Sequence, residues 1–168
     1  VYGNVNGTQL NYQAGQPVGA PSTINAGQVV QFGPIKQDFE IKGNHEFAVG
    51  LFMLGGSLVD PGAPVGKQKG DPSQSLAFAV EQYRVKYVFL APTDYDVNYA
   101  DIVMPIGAKA TLDGSGVTPG SSALAADGYT VARVKLSAGS NGAHVLISDK
   151  PVGLQVLGYG MYTSHEYP

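Results

Sequence analysis

The chain has 168 residues, of which 43% are hydrophobic and only 14% charged, with a formal net charge of −3. Its ten Lys and Arg residues are scattered and form no basic stripe, which argues against a nucleic-acid partner. No apolar run approaches the roughly 18 residues needed to span a bilayer, and the absence of cysteine excludes disulfides and thiolate chemistry.

Glycine and proline interrupt the chain too often for long helices. There are 23 glycines and 11 prolines, roughly a fifth of all residues. With so little charge, the solvated surface must be built largely from Tyr, Asn, Thr, Ser and Gly. This composition is typical of bacterial surface proteins and predicts an extracellular or cell-surface location.

The first half of the chain predicts short strands joined by turns. Thr8, Leu10 and Tyr12 alternate with polar residues and predict a strand with one buried face. Segments 27–32 and 38–43 predict two more strands around a Gly-Pro turn. Segment 46–54 is almost continuously apolar and predicts a strand buried on both faces, whereas residues 55–75 predict a loop.

A change of phase divides the long apolar stretch 76–92. Apolar residues alternate up to Val80 and alternate again, in the opposite phase, from Tyr83 onwards. A slip of one residue near Glu81 and Gln82 indicates a bulge or tight turn. We therefore predict two strands and no helix in this stretch.

The last third predicts strands separated by strong turn signals. A strand at 102–104 is interrupted by Pro105, and the Asp113–Gly114 pair predicts a two-residue hairpin turn. Segment 115–128 predicts a loop, and residues 129–139 alternate as a strand. Segment 144–160 predicts a strand, a tight turn at 149–151 in which Asp149 caps the turn, and a second strand.

Together these elements predict an all-β domain. The expected architecture is an antiparallel β-sandwich of about eleven or twelve short strands, and a propeller-like arrangement of small sheets is the alternative. The whole chain, residues 1–168, is expected to form one domain.

The sequence also contains an internal echo. Residues 40–56 align with residues 145–161, which places Ile41 against Leu146 and Asn44 against Asp149. Upstream, "GTQLNY" aligns with "GAKATL". We predict two pseudo-repeat units, about 1–75 and 99–168. Because both ends of the chain fall in mid-unit, we expect a fragment of a larger repeat-containing protein, with open strand edges that favour self-association.

Three strings carry a family resemblance: "EQYRVKYVFLAP", "NYADIVMPIGAKATLDG" and "HVLISDKPVGLQVLGYGMYTSHEYP". They resemble the N-terminal domain of IgG-Fc-binding proteins, as found among bacterial surface and secreted proteins. The resemblance covers most of the chain and is strongest over 70–168. It implies an extracellular module for adhesion, matrix structure or glycan contact, without catalytic motifs.

Tyrosine is the most conspicuous candidate for binding, since the chain has ten Tyr and no Trp. An exposed Tyr beside turn residues gives apolar area and a hydroxyl at low entropic cost. The alternative is that strands simply place Tyr on half-buried faces. The candidate binding residues flank Gly, Asn, Asp and Ser in predicted turns: Tyr95, Tyr99, Tyr159, Tyr162 and Tyr167.

One segment could hold a metal ion. "TDYDVNYAD" offers oxygen ligands for calcium from Asp94, Asp96, Asn98 and Asp101, but it lacks the glycine and terminal Glu of an EF-hand loop. A turn with Asx hydrogen bonds is the alternative. No other cofactor is expected. The three histidines show no metal-ligand spacing and are interpreted as surface or turn residues: His45, His144 and His165.

No pattern marks a catalytic centre, because the chain has no nucleophile elbow and no evident pair of carboxylates. We predict a non-catalytic extracellular adhesion, matrix or filament-forming module, with protein subunits, glycans or glycoproteins as partners. A carbohydrate- or glycoprotein-binding module is the alternative, and a glycoside hydrolase the remote one.

Overall fold

The computed structural model describes residues 1–120, 128–136 and 142–168. The described residues form antiparallel strands with one short helix, α1 (Gly56–Val59), and a 3₁₀ turn at Val80–Gln82. The strands are β1 (Tyr2–Gly3), β2 (Thr8–Gln13), β3 (Thr23–Ile24), β4 (Glu40–Gly43), β5 (Phe47–Ala48), β6 (Gly50–Phe52), β7 (Gln74–Leu76), β8 (Arg84–Leu90), β9 (Val97–Pro105), β10 (Ala110–Leu112), β11 (Ser115–Gly116), β12 (Tyr129–Leu136), β13 (Ala143–Gly160) and β14 (Thr163–Tyr167).

The prediction of an all-β fold of antiparallel sheets is confirmed. The largest sheet has seven strands in the order β11-β10-β13-β9-β12, with β14 and β8 also pairing with β13. The first half of the chain forms a three-stranded sheet β3-β2-β4 and two small pairs, β1 with β5 and β6 with β7.

The main core lies against the seven-stranded sheet. Alternate residues of β9 point into it, and Ala100, Ile102 and Met104 are fully buried. Leu146 and Val156 contribute from β13. This period of two is what a strand with one buried face requires.

β13 is the central element, because its two halves pair with different strands. Ala143–Ile147 lies between β8 and β10, whereas Gly153–Tyr159 lies between β9 and β14. The register with β8 shifts between Ile147 and Val152. The bend at this shift carries one strand into both halves of the sheet.

The prediction of a hairpin turn at 149–151 is therefore wrong. Asp149 does not cap a turn; its Oδ1 accepts a hydrogen bond from the Lys109 N–H at 2.7 Å. The Asp149 N–H donates to the Lys109 carbonyl at 3.0 Å. A proline and two charged residues look like a turn in sequence, but here they form an irregular, exposed stretch of a long strand.

Some other local predictions are confirmed and others are wrong. The Asp113–Gly114 hairpin is confirmed, with φ of 52° and 80° at the two turn residues, as a type I′ turn needs. The break near Glu81 is confirmed by the 3₁₀ turn between β7 and β8, but the strand predicted before it ends at Leu76 and does not reach Val80. The doubly buried strand at 46–54 is wrong: β5 and β6 are short, and Phe52 is 60% exposed.

Three further predictions differ from the structure. Segment 27–32 forms no named strand, and Val29 makes only an isolated bridge to Tyr2. The loop at 55–75 contains the single turn α1. The loop at 115–128 begins with β11, and its residues 121–127 lie outside the described part of the chain.

Candidate binding surface

The structure separates the five tyrosines that the sequence singled out. Tyr99 and Tyr159 share one face of the seven-stranded sheet, since both alternate with buried residues of their strands. Tyr167 lies on the opposite face, where it packs against the core. Tyr95 precedes β9, and Tyr162 lies in the turn between β13 and β14.

His165 connects two of these tyrosines. Its ring lies edge-on to Tyr95 with a centroid distance of 4.5 Å and stacks on Tyr167 at 5.6 Å. His165 Nε2 donates a hydrogen bond to Asn98 Oδ1 at 2.8 Å, and the Tyr95 hydroxyl lies 3.2 Å from Thr163 Oγ1. These contacts fix Tyr95 in place at the end of the sheet.

Gly158 makes this arrangement sterically feasible. Gly158 lies on β13 and is the register partner of His165 on β14 and of Asn98 on β9. A Cβ at position 158 would lie 2.2 Å from Asn98 Oδ1 and 2.3 Å from His165 Nε2. Only glycine leaves room for the hydrogen bond between these two side chains.

Burial disfavours the charged form of His165. Removal from water lowers the pKa of His165 below its ordinary value of 6.5, and the charge of Asp94 offsets this only in part. Among the described residues, Nδ1 of the ring has no hydrogen-bond partner although it is buried. A proton on Nδ1 would thus enter an apolar, aromatic environment.

A small cleft opens beside Tyr95. Its volume is about 120 Å³, and its wall includes Tyr95, Asp96, Asn98 and Lys135. Asp96 also forms an ion pair with Lys69 at 3.8 Å. Lys69 in turn bridges to Met161, so the 60–70 loop and the β13–β14 turn are held together.

Tyr162 stands out at this turn. It has a φ of 52°, in the left-handed region, and its side chain is 54% exposed. The neighbouring Met161 is 59% exposed. We call Tyr95, Met161 and Tyr162, with Lys69 and Asp96 beside them, the aromatic surface. The sequence singled out both tyrosines but missed Met161 and Lys69, which come together only through the loop pairing.

The four calcium candidates lie in different surroundings. Asn98 and Asp101 lie on opposite faces of β9. The Asn98 amide donates to the Pro92 carbonyl at 2.7 Å, and Asp101 lies 3.5 Å from Arg133 Nε. Asp94 and Asp96 lie in the turn before β9. No group of three or more His, Asp or Glu residues in the described ranges could hold a metal, and calcium binding stays a prediction.

The face of the sheet that carries Tyr99 and Tyr159 also carries a network of charges. Arg133 contacts both Asp38 and Asp101, and Glu166 Oε1 accepts a hydrogen bond from Gln155 at 2.7 Å. Burial raises the pKa of Glu166, and the nearby Asp101 charge raises it further. Each carboxylate has a partner in the sheet, Arg133 for Asp101 and Gln155 for Glu166.

His144 corrects the prediction of surface or turn histidines. It is 1% exposed and stacks on Phe89 at 5.3 Å. His144 Nδ1 donates to Asp113 Oδ2 at 2.7 Å. Burial acts to raise the pKa of Asp113, but the hydrogen bonds from His144 and Val145 outweigh it and hold that pKa below its ordinary value. The pair anchors the β10–β11 turn to the core.

A second concavity was not foreseen from the sequence. A shallow groove of about 560 Å³ runs over the sheet β3-β2-β4. Its lining is rich in amide and hydroxyl side chains: Gln9, Asn11, Ser22, Thr23 and Asn44. Alternation on β2 and β4 predicts an outward polar face, but the concavity depends on how the two strands pair.

Comparison with known protein families identifies the family of this chain. The family model for IgGFc binding protein matches residues 1–158. The chain therefore belongs to the IgGFc binding protein family, and the predicted resemblance is confirmed. This is a family of binding modules and not a known enzyme family. No curated protein and no solved structure matches the chain.

Within the residues that the structure describes, no helix is long and apolar enough to cross a membrane.

Proposed function

We propose that this chain is a non-catalytic extracellular module for adhesion or matrix assembly, which holds a protein or glycoprotein partner at the aromatic surface. Membership of the IgGFc binding protein family supports a binding role. The low charge and high tyrosine content support an extracellular location.

The conformation of Tyr162 carries the proposal. A non-glycine residue in the left-handed region costs about 1–2 kcal/mol, and here the side chain is more than half exposed. Folding recovers little of that cost through burial of the ring. An exposed aromatic residue held in an unfavourable backbone conformation is a feature of contact sites.

The neighbours of Tyr162 suit a protein surface. Met161 adds adaptable apolar area, and the Lys69–Asp96 pair supplies opposite charges at the rim. An aromatic centre with a polar rim is the usual anatomy of a protein interface.

The groove on β3-β2-β4 favours carbohydrate binding as the second candidate. Its amide and hydroxyl side chains are suited to hydrogen bonding with sugar hydroxyls. This groove lies on a different sheet from the aromatic surface, so the two candidates predict different sensitive residues.

The experiment is a binding assay with immobilised glycoproteins, and the IgG Fc fragment is the first to test because the family is described by it. Each ligand is presented before and after enzymatic removal of its glycans. Binding that survives deglycosylation supports protein recognition at the aromatic surface. Binding that disappears with the glycans supports the groove, and the Asn11→Ala variant then tests it.

A further inference from the structure

Two strand pairs of this fold match in register. Tyr12 pairs with Ile41 between β2 and β4, and Leu112 pairs with Leu146 between β10 and β13. The internal alignment of the sequence places Tyr12 on Leu112 and Ile41 on Leu146. The two pairs are thus equivalent in sequence and in hydrogen-bond register.

The equivalence extends to a side-chain contact. Asn44 Oδ1 accepts from the Gln9 N–H at 2.8 Å, and the Asn44 N–H donates to the Gln9 carbonyl at 3.2 Å. Asp149 makes the same two contacts with Lys109.

The two pairs differ on their other side. β13 has β8 along its second edge, where Tyr87 pairs with Leu146 and Phe89 with His144. Tyr87 and Phe89 are partly and almost fully buried there, and the Tyr87 hydroxyl donates to the Val152 carbonyl at 2.6 Å. The positions equivalent to Leu146 and His144 are Ile41 in β4 and Phe39 just before it.

The second edge of β4 is unpaired in the described part of the chain. Since the Asn44 N–H bonds towards β2, alternation directs the backbone groups of Gly43, Ile41 and Phe39 away from β2. Unpaired backbone donors and acceptors along an edge are a template for strand addition.

We propose that this free edge of β4 accepts an extended strand of the β8 type, donated by another unit of this kind. The pairing seen between β8 and β13 defines its geometry. The backbone of the donated strand bonds to Ile41 and Phe39, and its two inward residues are large and apolar, like Tyr87 and Phe89.

The path of β8 supports this choice of occupant. β8 lies between the two pseudo-repeat units, 1–75 and 99–168, yet it pairs with β13 of the second unit. A strand from outside the second unit therefore completes its sheet within this chain. The β4 edge is the equivalent acceptor of the first unit, and it lies on a different surface from the one proposed for partner binding.

The test is a fluorescence-anisotropy titration of the full chain against a labelled peptide of residues 82–92. We expect saturable binding. Methylation of the Tyr87 or Phe89 backbone nitrogen should weaken it about tenfold or more, because these N–H groups face the acceptor. Methylation at Val88, whose N–H faces away, should leave affinity within about twofold.

A protein variant provides the matching change. Ile41→Pro removes an N–H that faces the open edge, which edge strands tolerate, and should abolish peptide binding. A folding defect would also abolish binding, so the melting temperature is measured alongside and the methylated peptides give the independent readout. Absence of saturable binding, equal loss on methylation of Tyr87 and Val88, or full binding to a folded Ile41→Pro variant would overturn the proposal.

Discussion

Asn44 and Asp149 hold equivalent positions in two parts of this fold: each accepts a backbone N–H bond through Oδ1 and donates its own N–H to the same neighbour. The accepted bonds are 2.8 Å from Gln9 and 2.7 Å from Lys109. In both places the side chain adds one rung to the strand ladder where the backbone becomes irregular. An amide and a carboxylate serve equally, because only one acceptor oxygen is required.

This equivalence predicts the effect of substitution at Asp149. Asp149→Asn should leave the free energy of unfolding within about 0.5 kcal/mol, whereas Asp149→Ala should lower it by about 1 kcal/mol because the Lys109 N–H loses its partner. Urea denaturation measures both, and Asn44→Asp is the matched control. Equal losses for the Asn and Ala variants would show that the negative charge matters and the acceptor geometry does not.

Gly158 offers a steric prediction. Gly158→Ala places a methyl group against Asn98 and His165, and we expect the unfolding free energy to fall by about 2 kcal/mol or more. Gly116→Ala is the control, since a Cβ there meets nothing within 4 Å. Thermal denaturation of the two variants checks the difference; similar melting temperatures would contradict the packing described around His165.

The stability of the protein should depend on pH through His165. Its folded pKa is lowered, mainly by burial, so below about pH 6.5 the unfolded chain takes up a proton more readily than the folded chain. Stability from this group is complete above pH 6.5 and declines as the pH falls towards the folded pKa.

The measurement is the melting temperature of the wild type and of His165→Gln from pH 8 to pH 5. The difference in melting temperature between the two proteins should shrink below pH 6.5, because only the wild type loses stability through His165 there. The raised pKa of Glu166 acts in the opposite sense at lower pH and is common to both proteins. A gap that is constant over this range would contradict the assignment to His165.

Periodicity and turn chemistry predicted much of the fold. The Asp113–Gly114 hairpin and the break before β8 were predictable because both are local: positive φ requires particular residues, and a phase slip is visible in the sequence. The continuity of β13 was not predictable, because the conformation at Asp149 depends on its hydrogen bond with Lys109, forty positions away in the chain. A turn signal cannot reveal a distant strand that pairs with it.

The candidate site could also be predicted only in part from the sequence. Tyrosine content and turn context pointed to Tyr95 and Tyr162. The separation of Tyr99 and Tyr159 from Tyr167 follows from strand alternation, which could be read only once the bounds of β13 and β14 were known. The contact between Lys69 and Met161 depends on the packing of a loop that has no periodic pattern.

The most direct test of the proposed function compares Tyr162→Gly with Tyr2→Ala in the glycoprotein-binding assay. Tyr2 is also an exposed tyrosine, at 44%, but it lies on β1. Glycine at 162 relieves the left-handed backbone while it removes the ring, so the melting temperature should stay constant or rise. We predict at least a tenfold loss of affinity for Tyr162→Gly, about 1.4 kcal/mol, and none for Tyr2→Ala. Wild-type affinity in a folded Tyr162→Gly variant would contradict the account.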